Sequence, residues 1–147
     1  MSATGLDVFD KTLQTTNTWL DEIMTELGPD HHVAWHALTA VLHALRDRLP
    51  LEVAVHLGAQ LPMLVRGVYY DQWHLGPDVE RYRSLDEFLE RVGRGLKTTK
   101  PVSRLKVAEA VFAVLARHVT AGQLDKVREA LPEDIRALST LGKPRAA

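Results

Sequence analysis

A helical phrase that occurs twice constrains this chain more than any other feature. The stretch ALTAVLHALRDRLPLEVAVHLGAQLPMLVRG, residues 37–67, reads as an apolar helix, a turn at Leu49-Pro50, a second helical run and another turn at Leu61-Pro62. A weaker copy runs from residue 110 to 137. Ala37, Ala40, Val41 and Leu42 match Ala110, Ala113, Val114 and Leu115. After a three-residue deletion, Leu61, Pro62 and Arg66 match Leu131, Pro132 and Arg136. A unit of about seventy residues is marginal alone, so the two copies are expected to share one core. The expectation is therefore a single all-α domain over 1–147, with tandem repeats at 7–67 and 84–137 joined by a crossover at 70–83. Its helices, about eight, should form a bundle in which the repeats are related by a pseudo-twofold axis.

Periodicity places the elements. Leu6, Phe9, Leu13, Leu20, Ile23 and Leu27, with Thr16 in the remaining slot, form a three-four stripe down one helix that Gly28-Pro29 ends. The second helix should run from about Asp30 to Arg48. A third, from Leu51, is expected to stop at Gly58, and a fourth to open at Pro62 and continue through Tyr69. Ser84 with Glu87 forms a capping box at the start of the second copy. Its first helix carries Phe88, Leu89 and Val92, echoing Trp19, Leu20 and Ile23. The next presents Leu105, Ala108, Val111, Phe112, Leu115 and Val119, followed by a helix capped by Thr120 and a last one begun by Pro132. Alternating β-branched runs are absent, so no strand is expected.

The composition narrows the function classes. A net charge of −1 supplies no field for phosphate backbones, and neither nucleic acid nor membrane is expected as a partner. With no cysteine, thiol catalysis and cysteine-ligated zinc are excluded. No apolar run approaches the roughly twenty residues of a spanning helix. The first residues lack the basic leader and apolar core of a signal peptide, so a cytoplasmic setting is expected.

Three segments carry a resemblance: A-V-L-H-A-L-R-D-R-L (Ala40–Leu49), A-Q-L-P (Ala59–Pro62) and R-G-x-Y-Y-x-x-W (Arg66, Gly67, Tyr69, Tyr70, Trp73). With the second copy and its Leu131-Pro132, they make the chain resemble a bacterial family known only as a domain of unknown function. The resemblance implies an all-helical bacterial domain and brings no activity, cofactor or catalytic residue.

Two constellations are chemically conspicuous. The crossover holds Tyr69, Tyr70, Trp73 and Tyr82 beside Arg66, Arg81 and Arg83. Tyrosine, tryptophan and arginine dominate interface hot spots. The same residues would also seal an ordered connection to the body of the domain, and both readings stay open. Arg66, matched by Arg136, fits the scaffold, in a buried ion pair; Arg81 and Arg83 have no counterpart. The second constellation is histidine. His32, His36 and His43 share one helix face, and His32 and His36, at i and i+4, can hold one divalent ion. His43 lies about 10 Å further along the axis, too far to be the third ligand. Val33 stands where a metalloprotease helix has glutamate. A solvated face that happens to contain histidine is the reading the pattern favours.

Paired acids such as Asp21-Glu22 and Glu133-Asp134 suit exposed faces and first turns, and no nucleophile–base–orienter set can be assembled. An enzyme is therefore not expected, nor any cofactor. The leading expectation is a non-enzymatic module that binds protein, self-association included, through Tyr69, Tyr70, Trp73, Arg81, Tyr82 and Arg83 or an outer helix face. The alternative is a small protein that binds a divalent metal or other ligand at His32 and His36.

Overall fold

A computed structural model describes residues 3–75, 81–97 and 100–139. Residues 76–80 of the crossover, 98–99 of the following loop and the tail from 140 lie outside the described residues. The described residues form eight helices: α1 (Asp7–Leu27), α2 (His31–Arg48), α3 (Leu51–Ala59), α4 (Met63–Tyr70), α5 (Leu85–Arg94), α6 (Arg104–His118), α7 (Ala121–Ala130) and α8 (Glu133–Ser139). No strand occurs among the described residues.

Side chains set the helix starts. Asp30 accepts from the N–H groups of His32 and Val33, Ser84 from Glu87, Ser103 from Lys106 and Thr120 from Gln123. Asp30 thus occupies two of the orphan donors that open a helix, and each of the others one. Pro50 and Pro62 stand one residue before α3 and α4, where a missing N–H costs nothing. Gly28, at φ 107° and ψ 166°, takes an extended conformation of positive φ, open essentially to glycine alone, that releases the chain from α1.

The bundle is reciprocal. α1 packs on α2 and on α6, while α5 packs on α6 and on α2. α2 meets α6, and α3 meets α7, across the middle. α4 rests on α2, and α8 likewise on α6. The first helix of each half thus lies against the second helix of both halves, as a pseudo-twofold pair of four-helix units requires.

Burial corrects the register between the copies. A constant step of 70 residues, from Ala37 to Val107 through Leu49 to Val119, pairs buried residues with buried residues without any deletion. Leu42 meets its counterpart in Phe112 and Leu45 in Leu115; further on, Ala54 matches Leu124, Leu57 matches Val127, and Val65 matches Ile135. The N–H of Leu49 closes on Leu45 at 2.9 Å and that of Val119 on Leu115 at 2.8 Å, the same C-terminal bond in both. The three missing residues belong to the start of α6, which has 15 residues against 18 in α2. The earlier match of Leu42 to Leu115 slips by one helical turn.

Three further expectations change. In α1 the buried residues are Thr16, Trp19, Leu20 and Ile23, while Leu6, Phe9 and Leu13 are 52%, 49% and 43% exposed. Spanning 21 residues against 10 in α5, α1 runs on past the body of the domain. On α6, Leu105 is exposed, and Val107, Ala110 and Val114 join the core, because α1, α2, α5 and α8 surround this helix. Finally, α3 does not stop at Gly58. That glycine is buried inside the helix, where a Cβ would lie 2.4 Å from the Tyr70 hydroxyl.

Candidate functional site

The last two turns of α2 hold the crossover. Arg46, only 4% exposed, donates to the carbonyls of Tyr69 and Asp71 at 3.0 and 2.8 Å. Its Nε donates to Asp47 at 2.8 Å, and its guanidinium stands 5.9 Å from the centre of the Trp73 ring. The second Asp47 oxygen accepts from Arg91 of α5. His43 completes the group, its Nε2 donating to the Val68 carbonyl at 2.7 Å. Burial holds the His43 imidazole below the ordinary histidine range, against the raising effect of the Val68 carbonyl. These donors supply the negative C-terminal end of α4, whose last carbonyls lack helical partners. Beyond it the chain turns through Gln72, at φ 60°.

The aromatics divide into two sets. Tyr69 is fully buried and donates to the Ala54 carbonyl at 2.6 Å; burial, reinforced by Tyr70, pushes its hydroxyl far above the ordinary tyrosine range. Tyr82 is also buried, with its hydroxyl on the Ala44 carbonyl and its ring 5.6 Å from that of Phe88. Arg48 donates to the Tyr82 carbonyl at 2.8 Å and lies over the same ring. As candidate contact residues Tyr69 and Tyr82 must therefore be set aside, since they face the core and leave no surface for a partner. Tyr70 and Trp73 are half-buried and stacked, with ring centres 5.6 Å apart, and the Tyr70 hydroxyl reaches the Val55 carbonyl at 3.3 Å. Arg81 and Arg83 are exposed on either side of inward-facing Tyr82.

Sequence reasoning met Arg46, Asp47 and Arg48 only as letters in a motif, and weighed His43 as a metal ligand rather than as an anchor. A signal was present: L-H-A-L-R-D-R places four polar residues at the end of an otherwise apolar helix, immediately before the chain turns.

The histidines do not converge. His32 is exposed, His36 half-buried, and His43 engaged with α4. Among the described residues, no group of three histidine, aspartate or glutamate side chains could hold a metal ion. His31 and His32 instead line an open cleft of about 540 Å³ between the α1–α2 turn and the segment 100–102. Asp30 on its wall is fully occupied, by the N–H groups of Val33 and His32 and by Lys100 at 3.3 Å. The Val33 bond and then Lys100 hold its carboxyl below the usual range.

The broadest unusual surface is apolar. Leu51 and Val55 of α3, Met63 and Leu64 of α4, and Phe9 and Leu13 of α1 are each 37–58% exposed. α4 contacts both other helices. Its Leu64 N–H donates to Thr12 of α1 at 3.2 Å, and its Tyr70 reaches Val55 of α3. The step of 70 supplies an internal comparison. Leu51, Val55, Met63 and Leu64 correspond to Ala121, Asp125, Glu133 and Asp134, all exposed. One architecture carries acids at one end and apolar side chains at the other.

The molecule is an all-α bundle whose crossover is locked by a polar network and whose first half bears an apolar outer face. The chain belongs to the family of uncharacterized conserved proteins DUF2267, whose model matches residues 16–138. No curated protein matches the chain. The matched span includes the α2 anchors, the Leu-Pro joints and the crossover aromatics, and it begins after the exposed first turns of α1. Among the described residues, no helix is long and apolar enough to cross a membrane.

Proposed function

We propose that this chain is a non-enzymatic helical module that binds protein through the outer face of α1, α3 and α4, with Tyr70 and Trp73 at its edge. One observation carries the reading. The fold makes the same four positions exposed in both halves, and only the first half fills them with Leu51, Val55, Met63 and Leu64. Asp125, Glu133 and Asp134 show that the architecture itself does not ask for apolar residues there. Contiguous apolar surface beyond a few hundred Å² marks interaction sites. A net charge of −1 and the absence of cysteine suit a protein partner in a reducing compartment, the bacterial cytoplasm.

The test is a comparison of captured proteins. Wild-type chain and the Met63→Glu/Leu64→Asp variant, which copies the second half, are immobilised in a host lysate. The reading expects specific capture, this chain's own copies included, to be lost in the variant while helicity is kept. An unchanged set of captured proteins refutes it.

A further inference from the structure

We infer that the occupant of this apolar face is a second copy of the same chain, the two meeting face to face about a twofold axis. The inference rests on the interaction reading above and names its partner.

Area is the first argument. Six large apolar side chains, each about half exposed, leave roughly 500 Å² of apolar surface on each copy. Interfaces are about 60% apolar, so such a core implies about 800 Å² per partner with its polar rim. That is the standard size of a stable association. A symmetric contact uses one patch twice and so needs no other surface.

Charge is the second argument. Asp7, Asp10 and Lys11 flank the α1 part of the face, and Glu52 and His56 lie on α3. Both signs are present, and a net charge of −1 opposes the approach of two copies only weakly. The second half is a poor docking surface for this face. Its corresponding positions carry Asp125, Glu133 and Asp134, which would be desolvated against leucine and methionine. The copies therefore meet first half to first half, and the pairing closes at two.

Sedimentation of the purified full chain, with no other protein present, tests this from low to high micromolar concentration. A particle of twice 16.4 kDa is expected. Met63→Glu/Leu64→Asp should raise its dissociation constant about 100-fold with helicity unchanged, as for loss of central contacts. If that variant misfolds, Val55→Asp, which copies Asp125, takes its place. A monomer at every concentration, or a dimer indifferent to the folded variants, overturns the assignment. A wild-type monomer whose lysate capture the variant still abolishes removes only the second copy and leaves the interaction reading standing. A monomer with unchanged capture removes both.

Discussion

Arg66 and Arg136 make the same reach at the two Leu-Pro joints. Arg66 donates from one Nη to the carbonyls of Leu61 and Ala59 at 2.9 and 3.0 Å, and from Nε to that of Gly58 at 3.0 Å. Arg136 donates to Leu131 and Glu129 at 2.9 and 3.2 Å. Each guanidinium lies on the helix after the proline and supplies the orphan carbonyls that end the helix before it. The ion pair expected for Arg66 is replaced by this capping. The fork explains why leucine, proline and arginine recur together at fixed spacing.

Arg66→Ala and Arg136→Ala should each lower stability by about 1–2 kcal/mol in urea denaturation, the range for partly exposed bonds from a charged donor. Arg66→Lys should recover little, because one ammonium cannot reach the Gly58 carbonyl, which takes the Nε–H, as well as the Ala59 and Leu61 carbonyls that share one Nη. A lysine variant as stable as wild type would refute the role of the fork.

Glycine substitution should have opposite signs at two positions. Gly67, exposed in α4 with nothing within 4 Å of a built Cβ, should gain about 0.5–1 kcal/mol as alanine. Gly58→Ala should lose stability despite the same helical gain, since its Cβ would meet Tyr70 and, at 3.0 Å, the Tyr69 ring. Thermal melts of the two variants decide it; a stabilised Gly58→Ala would mean that the tyrosines yield freely.

His43 gives stability a dependence on mildly acidic pH. Its folded pKa lies below the ordinary histidine value of about 6.5, so the unfolded chain binds more protons in the window just below that value. Stability is therefore full above about pH 6.5 and falls as pH drops through the folded pKa. Arg46 and Arg91, which face the ring together with Asp47, add to the cost of charging it. Urea midpoints at pH 7.5 and 5.5 should differ less in His43→Gln than in wild type. An unchanged difference would assign the pH dependence elsewhere.

The tyrosines should separate by burial. Tyr69→Phe loses a buried bond and should cost about 1 kcal/mol, and Tyr69→Ala about 3–5 kcal/mol. Tyr70→Phe and the Arg81→Ala/Arg83→Ala pair, at the rim, should stay within about 0.5 kcal/mol of wild type. Chemical denaturation measures all four; equal losses at Tyr69 and Tyr70 would contradict the arrangement.

The helices were legible because local chemistry decides them. Ser84 with Glu87, Thr120 with Gln123 and the Leu-Pro breaks each act within one turn. The register was not, because α2 and α6 are apolar on several sides, and an alanine-valine-leucine phrase matches itself after three residues as well as in its true position. Spacing put Leu6, Phe9 and Leu13 on one face but could not say whether another helix covers it. Among the site residues, the aromatic clustering of the crossover was visible. The inward turn of Tyr69 and Tyr82 was not, since it depends on backbone carbonyls of α2 and α3 that no side-chain pattern reports.

The sharing of first helices between the halves bears on how the molecule fails. α1 lies on α6 as well as on α2, and α5 on α2 as well as on α6, so the two halves close one core between them. The Arg91 bond to Asp47 then binds the crossover anchor to the far half. Peeling away either set of four helices strips the other of a wall. Damage to one half, by a nick or a lost side chain, is therefore felt at full strength in the other. The chain should melt in one step, with no half-folded survivor for a protease to find.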